Sequence, residues 1–178
     1  GKGVAASMLM SHLQAMLRTL IGVGLPLPEI MERANRLFTE STLPMHYATL
    51  VCGRAMPDGH VEIANAGHPP PVLLGSGTTA HVDATGLPLG MWYGQQFGVV
   101  QIDVARGETL VLCTDGLIET EDAAGGAYGF DRFIDIASRS LDREPSDLVQ
   151  TCIDDVGCFR SGAARLDDLT LLAMRRLA

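Results

Sequence analysis

The chain has 178 residues, 47% hydrophobic and 19% charged, so a single domain spanning 1–178 with a sizeable core is expected, and extensive disorder is excluded. A formal net charge of -8, with Arg175-Arg176 as the only basic pair, excludes a broad nucleic-acid surface, which needs clustered cations against phosphates. No apolar run reaches the roughly 18 residues of a membrane span, because His12, Gln14 and Arg18 interrupt the nearest, Val4 to Leu25.

The start, Gly1-Lys2-Gly3, has no signal-peptide order and no initiator Met, which reads as a fragment or a trimmed chain. From Val4 to Ile21, Val4, Met8, Leu9, Leu13, Met16, Leu17 and Leu20 recur at helical spacing. Gly22, Gly24 and Pro26 end that helix, and Pro28 opens a second one to about Glu40, with Ile30, Met31, Ala34, Leu37 and Phe38 as its apolar stripe. Both apolar faces read as core, with a dimer contact or a regulatory relay as the alternative.

The texture then turns to strands. Tyr47 to Met56 and His60 to Ala66 form a predicted hairpin about the turn Pro57-Asp58-Gly59. A short run, Val72 to Leu74, precedes a polar loop. Strands Phe97 to Val104 and Thr109 to Thr114 flank a turn at Arg106-Gly107. Residues 123–129 read as a Gly/Ala-rich loop, helices are predicted at Phe130 to Ser140 and Pro145 to Phe159, and the last strand is Leu169 to Arg175. Hairpins with helices grouped between them indicate an α+β fold.

Cys52, Cys113, Cys152 and Cys158 are scattered without a CxxC pair, so zinc spacing is absent and a reduced, cytosolic compartment is expected. A cysteine-based phosphatase needs an Arg shortly after its nucleophile. The residues at that spacing are Asp58, Glu119, Cys158 and Ala164. No Gly-x-Ser-x-Gly elbow and no His-Glu-x-x-His occur. Gly1-Lys2-Gly3 is not a P-loop, since Gly3 stands where Ser or Thr must follow the Lys, although glycines opening a helix leave N–H groups suited to an anion.

Carboxylate chemistry remains. Asp115, within Thr114-Asp115-Gly116, stands at the end of the apolar run Leu110 to Cys113, and Gly116 lets the chain turn while leaving room for a ligand. Asp167-Asp168 stands just before the run Leu169 to Leu172. Adjacent carboxylates repel unless a cation or solvent offsets their charge, and hard oxygen ligands suit Mg²⁺ or Mn²⁺. Alone, each reads better as a solvated turn; two such sites, each at the end of a buried-looking strand, bring the metal reading level with the solvated one. His68, in Asn65-Ala66-Gly67-His68-Pro69-Pro70, reads as a turn residue before a ligand. Leu87-Pro88-Leu89-Gly90 with Trp92 reads as a packed loop.

In chain order, Gly1-Lys2-Gly3-Val4-Ala5-Ala6, Asn65 to Pro70, Gly86 to Gly90, Thr114 to Glu119 and Asp167-Asp168-Leu169-Thr170 resemble the SpoIIE-like group of PPM phosphatases. The resemblance implies an α/β/β/α sandwich of two antiparallel sheets flanked by helices. It implies two Mn²⁺ or Mg²⁺ ions that activate a water for in-line attack on phosphoserine or phosphothreonine. Asp115 and Asp167 would be metal ligands, Asp168 the lesser candidate of its pair, with Gly1, Lys2, Gly3 and Gly116 near the phosphate. The family's partners are phosphorylated anti-anti-sigma-type proteins, often with a sensor or receiver domain upstream.

The family also carries an Asp a few residues before this Gly-Lys-Gly, preceded by further strands. A chain beginning at Gly1 is expected to lack them, to bind metal weakly and to leave a sheet edge open for self-association. Two alternatives therefore accompany the phosphatase reading. One is an impaired, phosphatase-like module that binds a regulator or phosphoprotein, and the other is a metal hydrolase acting on a small phosphoester.

Overall fold

The computed structural model describes residues 3–75, 77–163 and 167–177, with Ala5 described by its backbone alone. The elements run α1 (Val4–Gly22), α2 (Leu27–Ser41), β1 (Leu50–Ala55), β2 (His60–Ala66), β3 (Val72–Gly75), β4 (Thr78–His81), β5 (Val100–Asp103), β6 (Thr109–Cys113), α3 (Asp115–Ile118), α4 (Phe130–Ser138), α5 (Pro145–Arg160) and β7 (Leu171–Arg175). As expected from the resemblance, the strands form two antiparallel sheets flanked by helices. The chain divides into two compact units, each with its own core.

The first unit comprises Gly1–Met56, Val61–His68 and Ala84–Ile102. Helix α2 begins after Pro26 with Pro28 in its first turn, where a missing N–H costs nothing. Its stripe Leu27, Ile30, Met31, Ala34 and Phe38 is buried at helical spacing. Leu13 and Leu20 of α1 join this core with Ala64, Ala66, Leu89 and Phe97. Toward its start α1 leaves Val4, Met8 and Met10 exposed, so only part of its apolar face serves the core. The sheet order is β1-β2-β5, and the β1/β2 hairpin pairs Leu50 with Ala66 through Ala55 with Val61.

The second unit comprises Pro57–His60, Pro69–Asp83 and Asp103–Ala178. Its sheet order is β4-β3-β6-β7, antiparallel throughout. Val72 and Leu74 on β3 share a face with Val111 and Cys113 on β6, because alternate residues of a strand point the same way. Phe133 and Ala137 of α4 and Leu148, Cys152 and Val156 of α5 complete that core.

Three sequence readings change. Helix α1 and α2 fall where expected, but β1 starts at Leu50 rather than Tyr47: Met45 and Tyr47 are exposed, and only Ala48 bridges to Leu89. Strand β5 covers only Val100–Asp103, and it joins β2's sheet while β6 joins the other, so the turn at Arg106-Gly107 links two sheets. Strand β4 occupies the predicted polar loop; all four of its residues are exposed, which leaves no apolar alternation to signal it.

A polar clamp fastens the end of the 123–129 loop to the helices. Arg132 donates to Asp155 Oδ2 and Oδ1 at 2.9 and 3.0 Å, Tyr128 O–H donates to Asp155 Oδ2 at 2.7 Å, and Phe159 packs edge-on against Tyr128. The Arg132 guanidinium holds the Asp155 carboxyl below its ordinary value, helped by the Tyr128 hydroxyl against a burial effect in the other direction. A depressed folded-state value contributes stability above the unfolded pKa of about 3.9 and loses it as pH falls through the folded one. Arg132 is largely exposed, so the pair is worth about 1 kcal/mol. The Tm of the parent should therefore fall more steeply than that of Asp155→Asn on acidification below about pH 4. Parallel slopes in a thermal-melt pH series would remove Asp155 from the acid response.

Candidate functional site

The buried strand β6 delivers the chain to Thr114, and the single-turn α3 begins at Asp115. Gly116 is buried at the point where the 167–168 segment crosses. A Cβ on Gly116 would lie 2.3 Å from the Asp168 carbonyl oxygen and 3.5 Å from Asp167 Cβ. The space on the Cβ side of Gly116 is therefore filled by the backbone of Asp168. Two motifs separated by some fifty residues thus meet at one end of the second unit's sheet, with all three carboxylates exposed.

Local hydrogen bonds orient two of these carboxylates. Asp115 Oδ1 accepts from Gly116 N–H at 2.9 Å, and Asp167 Oδ1 accepts from Asp168 N–H at 2.9 Å. Asp168 is held through its main chain, its carbonyl accepting from the Thr114 hydroxyl at 3.3 Å. Among the described residues, no Lys, Arg or His forms an ion pair with Asp115 or Asp168. Oxygen-only donors of this kind fit a hard divalent cation in chemical type. Among the described residues, no three His, Cys, Asp or Glu side chains form a metal-holding group.

Gly1 and Lys2 lie outside the described residues. Gly3 belongs to the first unit and caps α1 with φ +91, its carbonyl accepting from Ser7 N–H at 3.1 Å. His68 also lies in the first unit, in a turn closed by the fully buried Asn65. Asn65 Oδ1 accepts from His68 N–H at 2.8 Å, its Nδ2 donates to His68 O at 3.0 Å, and Thr85 donates its main-chain N–H to Asn65 O at 2.8 Å. His68 Nδ1 sits 3.1 Å from Thr49 Oγ1.

The Leu87–Gly90 loop is packed at Leu89, which is buried and exchanges main-chain hydrogen bonds with Ala48. Asn35 Oδ1 accepts from Gly90 N–H at 2.9 Å, and Asn35 Nδ2 donates to Trp92 O at 2.8 Å. The Trp92 side chain is 66% exposed, so the packed-loop reading holds for Leu89 and fails for the indole. Sequence reasoning passed over Thr114 as a residue with a role of its own, although a hydroxyl directly between a buried strand and Asp115 was the available signal.

With this geometry, the chain belongs to the Stage II sporulation protein E (SpoIIE) family, whose sequence model matches residues 1–177. It is 31% identical to the RsbU and RsbW domains of Rv1364c from Mycobacterium tuberculosis, over 100% of this chain and 49% of that one, with a TM-score of 0.82. The PP2C phosphatase domain of SpoIIE from Bacillus subtilis, with a fragment of its regulatory domain, shares the fold at 20% identity and a TM-score of 0.83, over 98% of this chain and 51% of that one. The phosphoserine phosphatase RsbU of Bacillus subtilis is 24% identical over 181 residues, covering 99% of this chain and 53% of the relative. The chain spans about a third to a half of the length of the curated relatives it matches.

Proposed function

We propose that this chain hydrolyses phosphoserine or phosphothreonine on a regulatory protein, residues 1–178 serving as one phosphatase domain. The observation that carries this reading is the close approach of Gly116 to the Asp168 backbone, which brings the chain segments bearing Asp115 and Asp167 together at an exposed edge. The phosphoserine phosphatase relative and the PP2C fold support it.

Asp115 and Asp167 would hold the divalent ions, Mn²⁺ or Mg²⁺, with Asp168 contributing mainly through its main chain. When bound, such ions supply Lewis acidity toward the attacking water and the phosphoryl oxygens. The residues of the chain fix where that chemistry takes place: the β6 strand end and the 167–170 segment hold two carboxylates against thermal spread, which keeps the reacting groups in line. The exposed site suits a phosphoryl group carried on a protein surface better than a small molecule that must be enclosed. By the family resemblance, the substrate is an anti-anti-sigma-type phosphoprotein. The exposed Val4, Met8 and Met10 of α1 support self-association as a second property.

The test is phosphate release from a phosphoserine protein with Mn²⁺, beside the same reaction in chelator and with a small aryl phosphate. Release that needs metal, with kcat/KM at least about tenfold above the small substrate, is the expected result, since remote contacts add binding energy. Equal rates on both substrates would favour the small-phosphoester hydrolase. Binding of the phosphoprotein without turnover would favour the impaired module.

A further inference from the structure

The β6/β7 ladder ends at Cys113 paired with Leu171, yet the carboxylates lie beyond that end on both sides. Three hydrogen bonds join Thr114 to the 168–170 segment. Thr114 N–H donates to Thr170 O at 3.0 Å, Thr170 N–H donates to Thr114 Oγ1 at 2.9 Å, and Thr114 Oγ1 donates to Asp168 O at 3.3 Å. Two of the three pass through the hydroxyl, which accepts from one residue and donates to another.

We propose that Thr114 is a positioning residue whose hydroxyl sets the register of Asp167-Asp168 against Asp115. This rests on the phosphatase reading of that carboxylate site. The geometry separates two jobs at this corner. Gly116 allows the two segments to approach, since any Cβ there would meet the Asp168 carbonyl. The Thr114 hydroxyl then decides where along that approach they stop. Thr170 and Asp168 are exposed, so without the hydroxyl the Thr170 N–H and the Asp168 carbonyl turn to water, and of the three bonds only that from Thr114 N–H to Thr170 O is left to hold the segment. The Asp115 and Asp167 side chains remain, while their spacing is lost. Partners that orient metal ligands typically change metal affinity by about 10–100-fold.

The experiment compares the parent with Thr114→Val, Thr114→Ser and Asp115→Asn in the intact polypeptide. Three readouts are used: Mn²⁺ affinity by calorimetry, thermal melting without metal, and amide exchange at Thr170 without metal. Thr114→Val, which keeps the shape and removes the hydroxyl, should weaken Mn²⁺ binding about 10–100-fold and speed Thr170 exchange. Its Tm should stay within about 4 °C of the parent. Thr114→Ser, which restores the oxygen, should recover both affinity and protection. If Asp115→Asn lowers Mn²⁺ affinity while Thr114→Val leaves it unchanged, the positioning role is overturned and the site reading stands. If Asp115→Asn leaves Mn²⁺ affinity unchanged, the site reading fails and this role falls with it. A Thr114→Ser variant as weak as Thr114→Val would also overturn the assignment, since the hydroxyl would then not be the cause.

Discussion

Asp115→Asn should lower Mn²⁺-dependent phosphate release by more than about 100-fold while the protein remains folded. Groups that merely orient metal ligands cost about 10–100-fold when removed, so loss of a direct ligand's charge should exceed that range. The substitution is nearly isosteric, and the amide oxygen can still accept the Gly116 N–H that Asp115 Oδ1 accepts at 2.9 Å. What disappears is the negative charge, which no Lys, Arg or His among the described residues neutralises by an ion pair. Asp167→Asn should behave similarly. Asp168→Asn should cost less, because its contact with Thr114 runs through the carbonyl that the substitution leaves in place. Steady-state kinetics on one phosphoserine protein decide the matter: rates within tenfold of the parent for both Asp115→Asn and Asp167→Asn would remove these carboxylates from the metal site.

The second large effect is on stability. Asn65→Ala should destabilise the fold by about 2–4 kcal/mol, because Asn65 is fully buried and its amide serves both main-chain polar groups of His68. Alanine would leave a donor and an acceptor of that turn without their partner, at about 1–3 kcal/mol for each one that water cannot reach. The turn cannot readily rearrange: Gly67 sits at φ +66, and a Cβ there would lie 2.6 Å from the Pro88 ring. For a chain of this size, the loss corresponds to a Tm lower by roughly 5–12 °C. Asn65→Asp should be no milder, since it keeps the acceptor, loses the donor and buries a charge. A melting temperature within about 2 °C of the parent for Asn65→Ala would show that the turn is held by other contacts.

Much of this protein was legible in its sequence because its signals are local. The stripe from Ile30 to Phe38 marks α2, Pro57-Asp58-Gly59 marks the β1/β2 turn, and the apolar run before Thr114 marks β6; each follows from side-chain period or backbone permissiveness. Strand β4 was not legible, since Thr78 to His81 are exposed and make their case only by pairing with β3. The separation of β5 from β6 into different sheets was likewise hidden, because a short turn between two strands looks the same whether they pair or part.

The site divides along the same line. Asp115, Gly116, Asp167 and Asp168 were each visible as short motifs at strand ends, since a carboxylate beside a buried run is a pattern of neighbours in the chain. That Gly116 makes room for the Asp168 backbone, and that Thr114 ties the two segments together, was decided only by tertiary structure. Chemistry is written in residue identity, while the close approach of the segments that carry Asp115 and Asp167 depends on contacts between stretches some fifty residues apart, where sequence order carries no distance.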